Sequence, residues 1–223
     1  AAFHAGDLVS GQSCVPQAVH LSTAMTINKS RLESFSDGVM SVSLTLMLYQ
    51  IQLPAEFNWT GVRAEAPHFF GYVLSFIYVG IYWNNHHHLF QMVRGINGKV
   101  MWANLNLLFW LTMIPITTTW TGKSEFSEIP TALYAFVLFM CAISYWILQR
   151  VIMASEGQGS MLAGAIGKDR KGRVSLVVYA LAIVVSFFSS IAATLILIAM
   201  AAFWFLPDSR IESYLLGQGG RDS

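Results

Sequence analysis

The chain has 223 residues, of which 55% are hydrophobic and only 11% are charged, and its formal net charge is +1. A soluble domain is usually about one quarter charged, so this composition, with a mean hydropathy of +0.53, indicates a protein that lies largely in lipid. The small net charge and the lack of clustered basic and aromatic side chains argue against nucleic-acid binding.

The two ends of the chain are polar. The first 30 residues contain no apolar segment long enough for a secretory signal, and we expect a disordered tail there. We expect a membrane domain over residues 31–207 and a cytoplasmic tail over residues 208–223. The two cysteines, Cys14 in the polar tail and Cys141 in an apolar run, do not suggest a disulfide framework.

Four apolar segments have the length of about 20 residues that a membrane-spanning helix needs. They cover residues 33–53, 68–92, 100–121 and 130–152. A fifth apolar stretch, residues 174–206, would form a helix of about 50 Å, which is too long for a hydrocarbon core of about 30 Å. We therefore expect a bend at Ser186–Ser190, which divides this stretch into two helices and makes six crossings.

The basic residues support the same topology. With six crossings and the N-terminus inside, eleven of the 13 Lys and Arg residues lie on the cytoplasmic side, and only Arg63 and Lys123 lie outside. This distribution follows the positive-inside rule. The sequence thus predicts an all-α integral membrane protein of the cell membrane with six transmembrane helices and with both termini in the cytoplasm.

This topology places polar side chains of the first three helices at one depth, near the cytoplasmic face. Ionisable groups are costly in a membrane and usually pair inside the bundle. We therefore expect a hydrogen-bonded cluster in which Asp37 pairs with a histidine and an asparagine, with a serine nearby. The candidates are Ser36 and Asp37 in helix 1, His86 and His87 in helix 2, and Asn104 and Asn106 in helix 3.

Two roles for this cluster stay open, a structural lock between helices and a direct part in gating. A metal site is not expected, because adjacent helix positions diverge by about 100° and His86, His87 and His88 cannot bind one ion together. The sequence also has no P-loop, G-x-S-x-G elbow or H-E-x-x-H motif. We therefore expect neither an enzyme nor a bound cofactor.

The residues of this layer resemble a known family. The patterns R-x-x-x-F-S-D in helix 1 and W-x-N-H-H in helix 2, with two asparagines in helix 3, resemble the transmembrane protein 175 family of potassium channels. The matching residues are Arg31, Phe35, Ser36, Asp37, Trp83, Asn85, His86, His87, Asn104 and Asn106. The resemblance extends over residues 31 to about 210 and implies a potassium-permeable cation channel.

The resemblance also implies an assembly. A single six-helix repeat is similar to the bacterial type, a homotetramer whose first helices line the pore. Val42, five residues after Asp37, corresponds to the aliphatic ring at the family's narrow point, and Thr45 to a hydroxyl implicated in cation preference. Val42, Leu46 and Tyr49 follow i, i+4 and i+7 and share one helix face. Four copies would stack these side chains as a hydrophobic constriction beside a hydroxyl ring.

Two departures from the family pattern bear on selectivity. Val42 is shorter than the expected Ile or Leu, and Tyr49 stands where an aliphatic side chain is commoner, so we expect weak to moderate preference for K+ over Na+. The same stripe is also compatible with ordinary helix packing.

The alternative function is a proton-coupled secondary transporter that uses the Asp/His cluster, although the sequence has no inverted repeat or pair of broken helices to support it.

Overall fold

The structure, a computed structural model, describes residues 28–51, 53–54, 56–156 and 170–205. The described residues form six α-helices, as the sequence predicts. They are α1 (Lys29–Tyr49), α2 (Trp59–Gln91), α3 (Gly98–Lys123), α4 (Glu128–Glu156), α5 (Arg170–Ser186) and α6 (Ser190–Phe205). The predicted tails over residues 1–30 and 208–223 fall outside the described residues, except that residues 28–30 form the cap and first turn of α1.

Asparagine caps set the starts of the first three helices. The Asn28 side chain accepts a hydrogen bond from the backbone N–H of Ser30 at 3.0 Å, so α1 begins before the predicted residue 33. Asn58 caps α2 in the same way, and this helix also begins well before the predicted residue 68. The sequence prediction left Pro67 in the connector before residue 68, because the Gly, Pro and charged residues of that stretch are typical of a loop. Here α2 continues through Pro67.

The predicted bend at Ser186–Ser190 is confirmed. Helix α5 ends at Ser186, whose hydroxyl donates to the carbonyl of Ile183 at 2.7 Å. Helix α6 begins at Ser190, and the hydroxyl of Ser189 accepts from the N–H of Ala192 at 3.2 Å. Serine side chains that bind nearby backbone groups favour helix ends over helix interiors, which explains why the long apolar run breaks here.

Helix α3 lies at the centre of the fold. It packs against α1, α2 and α4, and α4 in turn packs against α5 and α6. A buried hydroxyl cluster joins α2, α3 and α4, because the Ser75 hydroxyl lies 2.6 Å from that of Thr118 and 2.8 Å from that of Tyr134. Each of these hydroxyls therefore has a partner inside the bundle, as buried polar groups require.

Among the described helices, α3 and α4 are long and apolar enough to cross a membrane by length and composition. Helix α6 is apolar but has only 16 residues. The all-helical, six-helix fold is thus established for the described residues. The six crossings and the cytoplasmic position of both termini stay predictions.

Candidate functional site

A hydrogen-bonded chain of three buried side chains joins α1, α2 and α3. Nε2 of His86 lies 2.8 Å from Oδ1 of Asn104, and Nδ2 of Asn104 donates to the hydroxyl of Ser36 at 2.9 Å. The Ser36 hydroxyl donates in turn to the carbonyl of Leu32 at 2.8 Å. Because Asn104 uses its amide hydrogens toward Ser36, its oxygen is the acceptor and Nε2 of His86 carries the proton. None of these three polar residues is more than 2% exposed.

Asp37 lies outside this chain, which corrects the predicted pairing with His86 or His87. Its Oδ1 accepts a hydrogen bond from the indole Nε1 of Trp83 at 2.9 Å, on an exposed surface of the single chain. The reason is angular, since neighbouring helix positions point about 100° apart. Ser36 belongs to the buried stripe of α1 and Asp37 does not.

The remaining histidine of the predicted cluster also points outward. The ring of His87 stacks on that of Trp83, with centroids 5.8 Å apart and planes inclined by 13°. Its Nε2 lies 2.9 Å from Nε2 of Gln91 on the exposed surface of α2. Trp83, which the family pattern places in the same polar layer, therefore connects Asp37 on α1 with His87 on α2.

Asn85 and Asn106 contact α4 instead of joining the cluster. Nδ2 of Asn106 donates to the hydroxyl of Ser144 at 2.8 Å, and the Tyr145 hydroxyl donates to the backbone carbonyl of Asn85 at 3.1 Å. Nδ2 of Asn85 donates to the carbonyl of Ile81 in its own helix. The sequence analysis missed Ser144 and Tyr145, although a Ser-Tyr pair inside an otherwise apolar helix is a detectable signal.

The predicted pore-lining residues share an unpartnered face of α1. In the single chain Val42, Leu46 and Tyr49 are 57%, 51% and 86% exposed, and Thr45 is also exposed. The opposite face carries the buried residues Leu32, Ser36, Met40, Ser43 and Met47. Helix α1 therefore packs on the bundle through one stripe and leaves the other free.

Arg31 and Phe35 begin the exposed side of α1. Phe35 is 50% exposed, and Arg31 is exposed as well. Gly38 lies one turn further on, and a Cβ at this position would meet nothing within 4 Å. Close packing within the chain therefore does not account for this glycine. In the described part of the chain, no three His, Cys, Asp or Glu residues are arranged to hold a metal ion.

Comparison with known proteins identifies relatives over most of the chain. The family model of the endosomal/lysosomal potassium channel TMEM175 matches residues 31–115. A potassium channel of Chryseobacterium sp. (strain P1-3) is 46% identical over 189 residues, which cover 85% of this chain and 98% of that protein. A potassium channel of Streptomyces collinus is 30% identical over 126 residues, 53% of this chain and 61% of that protein.

A solved structure shares the fold. The crystal structure of a lysosomal potassium-selective channel TMEM175 homolog from Chamaesiphon minutus superposes with a TM-score of 0.69 at 21% sequence identity. The superposition covers 80% of this chain and 96% of that chain. At this identity the likeness concerns the arrangement of the helices.

Proposed function

This chain belongs to the TMEM175 family of ion channels, and we propose that it forms a potassium-permeable cation channel. The proposed unit is a homotetramer in the cell membrane, with both termini of each chain in the cytoplasm. Helix α1 of each copy lines a central pore, and K+ permeates without a cofactor. The observation that supports this role for α1 is the mixed chemistry of its exposed face.

The exposed face of α1 suits water better than lipid. It carries Ser34, Asp37, Ser41 and Thr45 among its apolar side chains. The exposed faces of the two C-terminal helices differ, because α5 presents Val177 and Leu181 and α6 presents Ile191 and Leu195. A lipid-facing helix has no partners for serine, threonine or aspartate, so polar residues of this kind usually face a bundle interior or a water-filled cavity.

Rings of α1 side chains then provide the two elements of a pore. Val42 and Leu46, repeated four times around an axis, form a hydrophobic constriction that gates by dewetting. The Thr45 hydroxyl donates to the carbonyl of Ser41 at 3.0 Å. Its hydrogen is thereby turned toward its own helix, and its oxygen lone pairs are available on the exposed side. Four such oxygens can replace part of the hydration shell of a cation.

The direct test is the current of purified protein in a planar bilayer with K+ on one side and Na+ on the other. An ideally K+-selective pore shifts its reversal potential by about 59 mV for each tenfold change in the K+ gradient. Because Val42 is short, we expect a shift in the same direction but clearly smaller. Protein that carries no current and instead accumulates a solute against its gradient would contradict the channel and favour a transporter.

Replacing Thr45 with valine tests the hydroxyl ring separately. Valine has nearly the same shape, so we expect the channel to assemble and conduct, but its reversal potential should move toward the value of a non-selective cation pore. The matched control is Thr112→Val, since Thr112 is a half-buried residue of α3 whose hydroxyl also donates to a backbone carbonyl. If Thr45→Val keeps the wild-type reversal potential, the hydroxyl ring does not contribute to ion preference.

A further inference from the structure

A cleft remote from the polar layer lies between α2, α4, α5 and α6. Its volume is about 430 Å³ when counted to its open mouth, but the centre of a water-sized molecule can occupy only about 30 Å³ of it. Aromatic side chains dominate its walls, namely Tyr78, Tyr82, Tyr145, Trp146, Tyr179 and Trp204. The interior is therefore too narrow for a ring-shaped ligand and admits only a slender group.

Two polar side chains stand among the aromatic walls of the cleft. They are the hydroxyl of Tyr82 and the side-chain amide of Gln149, and each residue is only 8% exposed. Other polar groups of the cleft are paired, since Nε1 of Trp204 donates to the hydroxyl of Ser175 at 2.8 Å. Both residues line the cleft, so the hydroxyl of Tyr82 and the amide of Gln149 are available to a ligand with a hydrogen-bond acceptor.

Two cations lie against aromatic rings beside the cleft. The guanidinium of Arg150 is 5.1 Å from the ring centroid of Trp146. The ammonium of Lys171 is 5.2 Å from the ring centroid of Phe203 and 5.9 Å from that of Trp204. No Asp or Glu is among the described residues that line the cleft. Cations this close to the cleft favour an anionic ligand over a cationic one.

The position of the cleft indicates that its ligand is a lipid. Gln149 lies near the end of α4, Lys171 at the start of α5 and Trp204 at the end of α6. In the predicted topology these three helix ends meet the cytoplasmic leaflet. Basic pockets between transmembrane helices on this side suit anionic lipid headgroups, and tryptophan and tyrosine favour the same depth of the membrane.

We propose that this cleft binds an anionic phospholipid of the cytoplasmic leaflet. The lipid phosphate lies beside Arg150 and Lys171, and the ester-linked glycerol segment enters the narrow interior. There the amide of Gln149 donates to an ester carbonyl, and the acyl chain continues along the outer surface of the bundle. This inference rests on the membrane orientation in the proposed function but not on conduction through α1.

The test is lipid binding to the purified channel in detergent, counted by native mass spectrometry with phosphatidylglycerol and phosphatidylcholine as probes. We expect phosphatidylglycerol to bind more tightly, and Arg150→Gln or Lys171→Gln to weaken it about fivefold each, as expected for one cation at an anionic lipid surface. Gln149→Leu should weaken binding of phosphatidylglycerol as well. Lys99→Gln, an exposed cation at the start of α3, is the control and should change nothing.

Three outcomes would overturn the proposal. Equal binding of both lipids, unaffected by Arg150→Gln, would mean that no anionic lipid site exists. An equal loss with Lys99→Gln would mean a diffuse attraction to basic surface. Inorganic phosphate alone, if it raises the unfolding temperature as much as phosphatidylglycerol, would indicate a simple anion site. Arg150 is exposed, so Arg150→Gln still tests the proposal if Gln149→Leu misfolds. Lipid binding is measured without any current. A loss of conduction would therefore contradict the proposed function and not the lipid site.

Discussion

Asn104→Leu is expected to lower the free energy of unfolding by at least about 1–3 kcal/mol, the cost of one buried polar group left without a partner. Asn104 is fully buried, and its amide links the imidazole of His86 to the hydroxyl of Ser36. Leucine fills a similar volume but removes both bonds. The buried N–H of His86 then has no hydrogen-bond acceptor, whereas the hydroxyl of Ser36 keeps its bond to the carbonyl of Leu32.

Asp37→Asn is the matched control, and we expect it to change the unfolding free energy by less than about 1 kcal/mol. The substitution keeps an oxygen that can accept from Trp83, and this bond lies on an exposed surface of the chain. Denaturation of the purified protein in mixed micelles, with size-exclusion chromatography to follow assembly, measures both variants. If Asp37→Asn destabilises the folded chain as much as Asn104→Leu does, the layer is organised around the carboxylate after all.

The contrast between Asn104 and Asp37 shows what the sequence can predict about such a layer. Counting residues from the membrane edge gives the height of a side chain, and it placed Ser36, His86 and Asn104 at one level. Height does not give direction around the helix axis, where a shift of one residue turns a side chain by about 100°. The sequence analysis therefore found the correct layer but gave the pairing to Asp37 instead of its neighbour Ser36.

The fold was predictable to the extent that helix ends depend on local chemistry. The bend at Ser186–Ser190 was found because serines interrupt an apolar run that is too long for one crossing. The start of α2 was missed, because the Gly, Pro and charged residues before residue 68 are typical of a connector, and the cap at Asn58 lies further upstream. The anchoring of Asn106 to Ser144 was missed for another reason, since contacts between distant helices depend on packing that no local pattern records.

Val42→Asn is expected to have the largest effect on conduction. In the proposed tetramer the substitution changes four side chains at one level, and a ring of amides holds water where a ring of isopropyl groups favours dewetting. A tenfold rise in conductance requires the free-energy barrier to ion passage to fall by only about 1.4 kcal/mol. Each of the four amides has to supply only a fraction of this decrease. We therefore expect at least about a tenfold larger single-channel current, measured in planar bilayers with symmetrical K+.

Leu48→Asn separates a pore effect from a change in the surface of α1. Leu48 is 55% exposed in the single chain, compared with 57% for Val42, but its position on the helix lies well away from the stripe that Val42, Leu46 and Tyr49 share. We expect Leu48→Asn to leave single-channel conductance close to wild type, whatever it does to assembly. If instead both variants raise the conductance equally, or if Val42→Asn leaves it unchanged, Val42 does not form the constriction. Leu46→Asn would then be the next variant to measure, because Leu46 lies one turn further along the same face.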